Sequence, residues 1–152
     1  MVQAAGGAGM AAGQMQDMAA HGQLQDVAAL ERMHYLKTGR LITASLQLGY
    51  FAAENDDPAL LSNLTDFGDA IGLAFQIQDD ILDVTQSSER LGKTAGKDVA
   101  VQKATYPSVV GLAKSEKIAA KLTAKAFAAL KPFNGQAVAL EALADYLLTR
   151  DH

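Results

Sequence analysis

The chain has 152 residues, of which 49% are hydrophobic, with 13 basic and 17 acidic residues and a formal net charge of -4. That is enough apolar sequence for a single core, and beyond one short loop it holds no basic stripe of the kind that binds nucleic acid. No run nears the roughly 18 apolar residues of a membrane span, the amino terminus lacks the basic stretch of a secretory signal, and the absence of cysteine rules out thiolate chemistry and fits a cytoplasmic setting.

Alanine and leucine dominate and strand-like alternation is rare, so the expected fold class is all-α, with helices at 1–20, 26–52, 58–84, 105–114, 116–131 and 136–150. The first of these is crowded with Gly6, Gly7, Gly9 and Gly13. Each glycine costs helix propensity, so the segment reads either as a close helix contact or as room for a long apolar ligand. Gln14 and Asp17 stand at i and i+3 on it, a polar pair that needs partners if buried. In the second helix, Lys37-Thr38-Gly39 interrupts an apolar pattern through Leu30, Met33, Leu41 and Leu48. A kink there would free backbone carbonyls and aim Lys37 inward. Arg32 and His34 read as surface residues, and the three histidines, at 21, 34 and 152, lack ligand spacing.

Asp57-Pro58 is an N-cap followed by proline at the first helical position. It opens a helix of about 27 residues, roughly 40 Å long, which suits long antiparallel helices around a cavity. Within it, Gln76, Asp79, Asp80 and Asp83 fall at i, i+3, i+4 and i+7, one stripe set among apolar residues such as Phe75, Ile77 and Ile81. Three like charges at helical neighbour spacing repel, so a bound cation is expected. Oxygen-only ligands point to a hard divalent ion, and magnesium fits better than zinc.

Charge is segregated along the sequence: no lysine or arginine occurs between Arg40 and Arg90, and then Arg90, Lys93, Lys97 and Lys103 follow closely, spaced by Gly92 and Gly96. Either lysine of that loop taken alone reads as a solvated residue. After a triple aspartate, the pair of features reads as a clamp for a diphosphate, with metal bridging carboxylates to phosphate oxygens and lysine as a point charge. It is not a P-loop, because the G-x-x-x-x-G-K-[ST] spacing is absent.

In order and spacing, Gly13-Gln14-Met15-Gln16-Asp17, Lys37-Thr38, Phe75-Gln76-Ile77-Gln78-Asp79-Asp80-Ile81-Leu82-Asp83, Gly92-Lys93 and Lys103-Ala104-Thr105-Tyr106-Pro107 resemble the trans-isoprenyl diphosphate synthases, with bacterial farnesyl diphosphate synthases the nearest look. The resemblance runs from Ala12 to Arg150 and corresponds to the carboxy-terminal half of one isoprenoid synthase domain. It implies an all-α, usually dimeric enzyme that condenses an allylic diphosphate with isopentenyl diphosphate by magnesium-assisted ionisation.

Position by position, the resemblance makes Asp79, Asp80 and Asp83 the second aspartate-rich motif, with Asp79 a direct metal ligand and Asp83 further out. Lys37 and Lys93 match lysines on the allylic diphosphate, Thr38 and Gln76 polar residues near the reacting carbon, Phe75 an aromatic on the isopentenyl side, and Gln14 and Asp17 a polar pair on the cavity wall. The family's first aspartate-rich motif has no match, since Asp56-Asp57-Pro58-Ala59-Leu60-Leu61 ends in leucine and reads as a helix cap. The expectation is therefore an inactive half that exposes apolar surface and works as a homodimer or with an amino-terminal half. The alternative is a non-catalytic helical subunit that modulates a full-length prenyl synthase.

Overall fold

The computed structural model describes residues 1–20, 26–91 and 104–149, with side chains placed except at 87–91. Every regular element among them is helical: α1 (Val2–Ala5), α2 (Met10–Ala20), α3 (Val27–His34), a π-helical turn (Tyr35–Gly39), α4 (Arg40–Ala52), α5 (Pro58–Leu91), α6 (Tyr106–Val110), α7 (Leu112–Leu130), a short 3₁₀ turn (Lys131–Phe133) and α8 (Val138–Thr149).

The local signals explain the starts. Asp26 caps α3 by accepting from the Ala28 amide at 3.2 Å, and Asp57 caps α5 by accepting from the Ala59 amide at 2.8 Å. Thr105 and Ser108 form a reciprocal capping box that opens α6.

Three expected helices differ. The single helix over 1–20 is broken into α1 and α2 at the glycine cluster, where the chain gains no propensity to continue. The helix expected over 105–114 stops at Gly111, whose φ of 85° closes α6, and α7 begins at the next residue. The long helix continues to Leu91 rather than ending at 84. By contrast, the interruption at Lys37-Thr38-Gly39 is present as the π-turn, inserted without separating α3 from α4.

The 34-residue α5 is the axis of the molecule and packs mainly on α7 and α4. Two cores lie along it. One joins Phe67, Ala70 and Ile71 of α5 to Ala126, Ala129 and Leu130 of α7 and to Ala144 of α8. The other joins Ile77 and Ile81 to Leu30 and Met33 of α3, Tyr106, and Ala119 of α7.

Between these helices the backbones approach closely at glycine. A Cβ built on Gly13 would collide with the Lys37 amide nitrogen, and one on Gly72 would lie 2.9 Å from the Gly39 Cα. The π-turn is thus wedged between α2 and α5. Nothing lies within 4 Å of a Cβ at Gly49, in α4. We therefore expect opposite signs from one substitution in two helices. Gly49→Ala should stabilise the chain by about 0.5–1 kcal/mol through helix propensity, whereas Gly13→Ala should destabilise it by about 1–3 kcal/mol through overpacking. Urea unfolding of both variants reads this directly.

Candidate active site

Gln76, Asp79, Asp80 and Asp83 project from α5 into a polar cavity of about 190 Å³ whose opposite wall includes Lys37. The π-turn puts Lys37 there, and its Nζ donates to Asp17 Oδ2 on α2 at 2.7 Å. Both side chains are mostly buried, so water screens this ion pair less than it would a surface pair. Lys37 and Thr38 also open a second cavity of about 460 Å³, which runs between α4, α5 and α8 past Leu41, Ile42, Leu46 and Phe67. One lysine therefore stands where an acidic cavity and an apolar one meet.

The helix divides its three carboxylates. Asp83 is exposed and Asp79 half-buried, with Gln76 Nε2 3.5 Å from Asp79 Oδ2. Asp80 is 2% exposed. Its Oδ2 accepts from the Tyr106 amide at 3.0 Å and lies 3.2 Å from His34 Nε2. A carboxylate only accepts, so Nε2 carries the imidazole proton. Tyr106 stacks on the His34 ring at 5.9 Å between centroids, and its hydroxyl donates to Glu31 at 2.8 Å. Taking away one partner would leave a buried polar group unpaired, at about 1–3 kcal/mol.

His34 is thus not the surface residue its sequence context suggests: it is 2% exposed. The signal was its i, i+4 spacing from Leu30, which puts both on the buried face of α3. Arg32 is exposed, as expected. Gln14 is exposed, so it and Asp17 do not form a buried pair. Phe75 is half-buried and lines neither cavity, and Lys93 lies outside the described residues, as do Lys97 and Lys103.

Among the described residues no three carboxylate or imidazole groups converge into a closed metal site. Magnesium rarely needs one, because it is commonly held by one or two carboxylates together with waters and substrate phosphates. The hard oxygens of Asp79 and Asp83, one helical turn apart on the cavity wall, suit that mode.

Among the described residues, then, an all-helical fold brings an acidic cavity and an apolar one together at a single lysine. The sequence profile of the family described as Polyprenyl synthetase matches residues 3–144, and the chain belongs to that family. It is 43% identical to the farnesyl diphosphate synthase of Escherichia coli (strain K12), covering 99% of this chain and 52% of that one. It is equally 43% identical to the chloroplastic geranylgeranyl pyrophosphate synthase of Capsicum annuum, covering 95% of this chain and 39% of that one. The crystal structure of geranyltransferase from Helicobacter pylori complexed with magnesium and isoprenyl diphosphate superposes with a TM-score of 0.71 at 32% identity, over 92% of this chain and 46% of that one. The chain spans about half the length of these proteins, or less.

Burial, the bond to Glu31 and the nearby charges of Glu31 and Asp80 raise the Tyr106 phenol above its ordinary value of 10.0. A raised folded value means that this contribution to stability is complete below about pH 10 and is lost as pH rises beyond it. Tyr106→Phe should cost about 1.5 kcal/mol, the low end for a hydrogen bond to a charged group, and should flatten the fall in stability above pH 10. Chemical denaturation at pH 8 and pH 10.5 checks both.

Proposed function

We propose that this chain supplies the carboxy-terminal side of the active site of a prenyl diphosphate synthase, which condenses an allylic diphosphate with isopentenyl diphosphate. The observation that carries the reading is the placement of Lys37, shared between the aspartate-lined cavity and the apolar one. A diphosphate in the first would have its attached hydrocarbon at the mouth of the second.

Asp79 and Asp83 would hold magnesium, which supplies charge neutralisation to the departing diphosphate. Lys37 places a further positive charge on its oxygens. The allylic carbon–oxygen bond breaks with its electron pair leaving on the diphosphate. The isopentenyl double bond then forms the new carbon–carbon bond, and a proton is lost from isopentenyl to the released diphosphate. Thr38 and Gln76 contribute oxygen dipoles beside the positive carbon, a stabilisation that costs nothing to reorganise. Leu41, Ile42 and Phe67 exclude water from the tail.

Farnesyl diphosphate is our assignment for the product, on overall similarity to the bacterial enzyme, with geranylgeranyl next because a geranylgeranyl synthase is equally identical. A second copy and an amino-terminal half are the partners we assign. Met15 and Met18, 72% and 68% exposed beside Asp17 on α2, suit such packing.

As given, the sequence carries one DDxxD motif, so we expect the 152-residue chain alone to bind magnesium pyrophosphate and to form no prenyl product. Binding at ten times Kd adds about 1.4 kcal/mol, a rise in melting temperature of roughly 3–6 °C for a chain of this size. The shift should require both magnesium and pyrophosphate and should vanish in Asp79→Asn and Lys37→Ala. No shift in the unaltered chain would sink the reading. In an enzyme that includes this chain, Lys37→Ala should lower kcat/KM by about 10²–10³. If the chain instead serves as a modulating subunit, it should change the turnover of a full-length synthase when mixed with it.

A further inference from the structure

We infer that Asp80 acts as a positioning residue through its Oδ2, and that His34 is the clamp that holds it. The role rests on three contacts made by buried groups. Asp80 Oδ2 takes both the His34 Nε2 proton and the Tyr106 amide, from elements 46 and 26 residues away in sequence. Among the described residues the His34 imidazole has no polar partner other than Asp80, because its Nδ1 is buried without one. Its ring is fixed against Tyr106 at an interplanar angle of 14°. Asp80 lines the polar cavity, but a cation on Oδ2 would have to displace two N–H donors, one of them the backbone amide at the start of α6, and both His34 and Tyr106 are buried.

What this arrangement sets is the spacing of the site. His34 is the last residue of α3, and the π-turn that carries Lys37 follows directly. Asp79 precedes Asp80 on α5, and Tyr106 opens α6. One carboxylate therefore ties the turn that carries Lys37, the helix that presents Asp79 and Asp83, and the first turn of α6. When it is lost, Lys37, Asp79 and Asp83 keep their charges but lose the fixed distance across which they act together. The consequence for ligand binding rests on the function proposed above; the clamp does not.

The test uses the 152-residue chain with Asp80→Asn, Asp80→Leu, His34→Leu, the double variant of the two leucine changes, and His34→Gln, which keeps a donor near the Nε2 position. Ring-nitrogen NMR of the unaltered chain, with His34 assigned by its absence in His34→Gln, should show one fixed tautomer, protonated at Nε2 and bare at Nδ1. Asp80→Leu, which removes the shared acceptor, should release it to a mixture, whereas Asp80→Asn keeps an amide oxygen that can accept in the same place. In thermal unfolding, the double variant should melt no lower than the worse single one, and His34→Gln should recover most of the loss seen in His34→Leu. Manganese, read by electron paramagnetic resonance in the presence of pyrophosphate, should bind in the same number to Asp80→Asn as to the unaltered chain, and in smaller number to Asp79→Asn.

A His34 ring that exchanges tautomers freely, or melting losses that add, would overturn the clamp. Loss of manganese in Asp80→Asn equal to that in Asp79→Asn, with His34→Leu unaffected, would make Asp80 a ligand and overturn it equally. If manganese pyrophosphate binds none of the proteins, the proposed function fails, while the NMR and melting results still decide the clamp.

Discussion

Backbone contact at glycine holds the Tyr35–Gly39 turn between α2 and α5: Gly13 meets the Lys37 amide on one side, and Gly72 comes within 2.9 Å of the Gly39 Cα on the other. A π-turn carries one more residue per turn than the α-helix around it and is costly unless its surroundings enforce it. Here two flanking helices lie too close for any side chain, so the turn has little room to relax. Lys37 owes its place to that confinement. Asp17 then fixes the ammonium from α2, and the aspartates of α5 face it across the polar cavity.

The same helix that seats the turn also has to accommodate three carboxylates within five residues. It does so by unequal burial. Turning Asp80 inward would be prohibitive for an unpaired charge, but two N–H donors meet it there. Asp79 and Asp83 are left as the more open carboxylates of the cavity that all three line. Burial of one carboxylate and presentation of its neighbours are a single consequence of helical periodicity, since adjacent residues lie about 100° apart around the axis.

Polar and apolar volumes meet at the turn because the wall changes character from the π-turn into α4. Lys37 and Thr38 precede Leu41, Ile42 and Leu46, so one wall is ionic at the top and hydrocarbon-lined below. Such a wall suits an amphiphile with a charged head and a branched tail, the shape of a prenyl diphosphate.

Local chemistry in the sequence determined the helical class, the start of α5 at Asp57-Pro58, the break at Lys37-Thr38-Gly39 and the grouping of Gln76 with the aspartates, because caps, prolines and helical spacing act over a few residues. The glycine cluster before Gly13 was equally visible, yet whether it would bend or break the helix was not, since propensity ranks residues without fixing a boundary. Tertiary structure alone decided that His34 is buried, that Asp80 rather than Asp79 or Asp83 turns inward, and that Lys37 pairs with Asp17. Each of these depends on groups at least twenty residues apart in sequence. A side chain at helical spacing has a face but no neighbour until another helix is packed against it, and the charge it meets there sets its role.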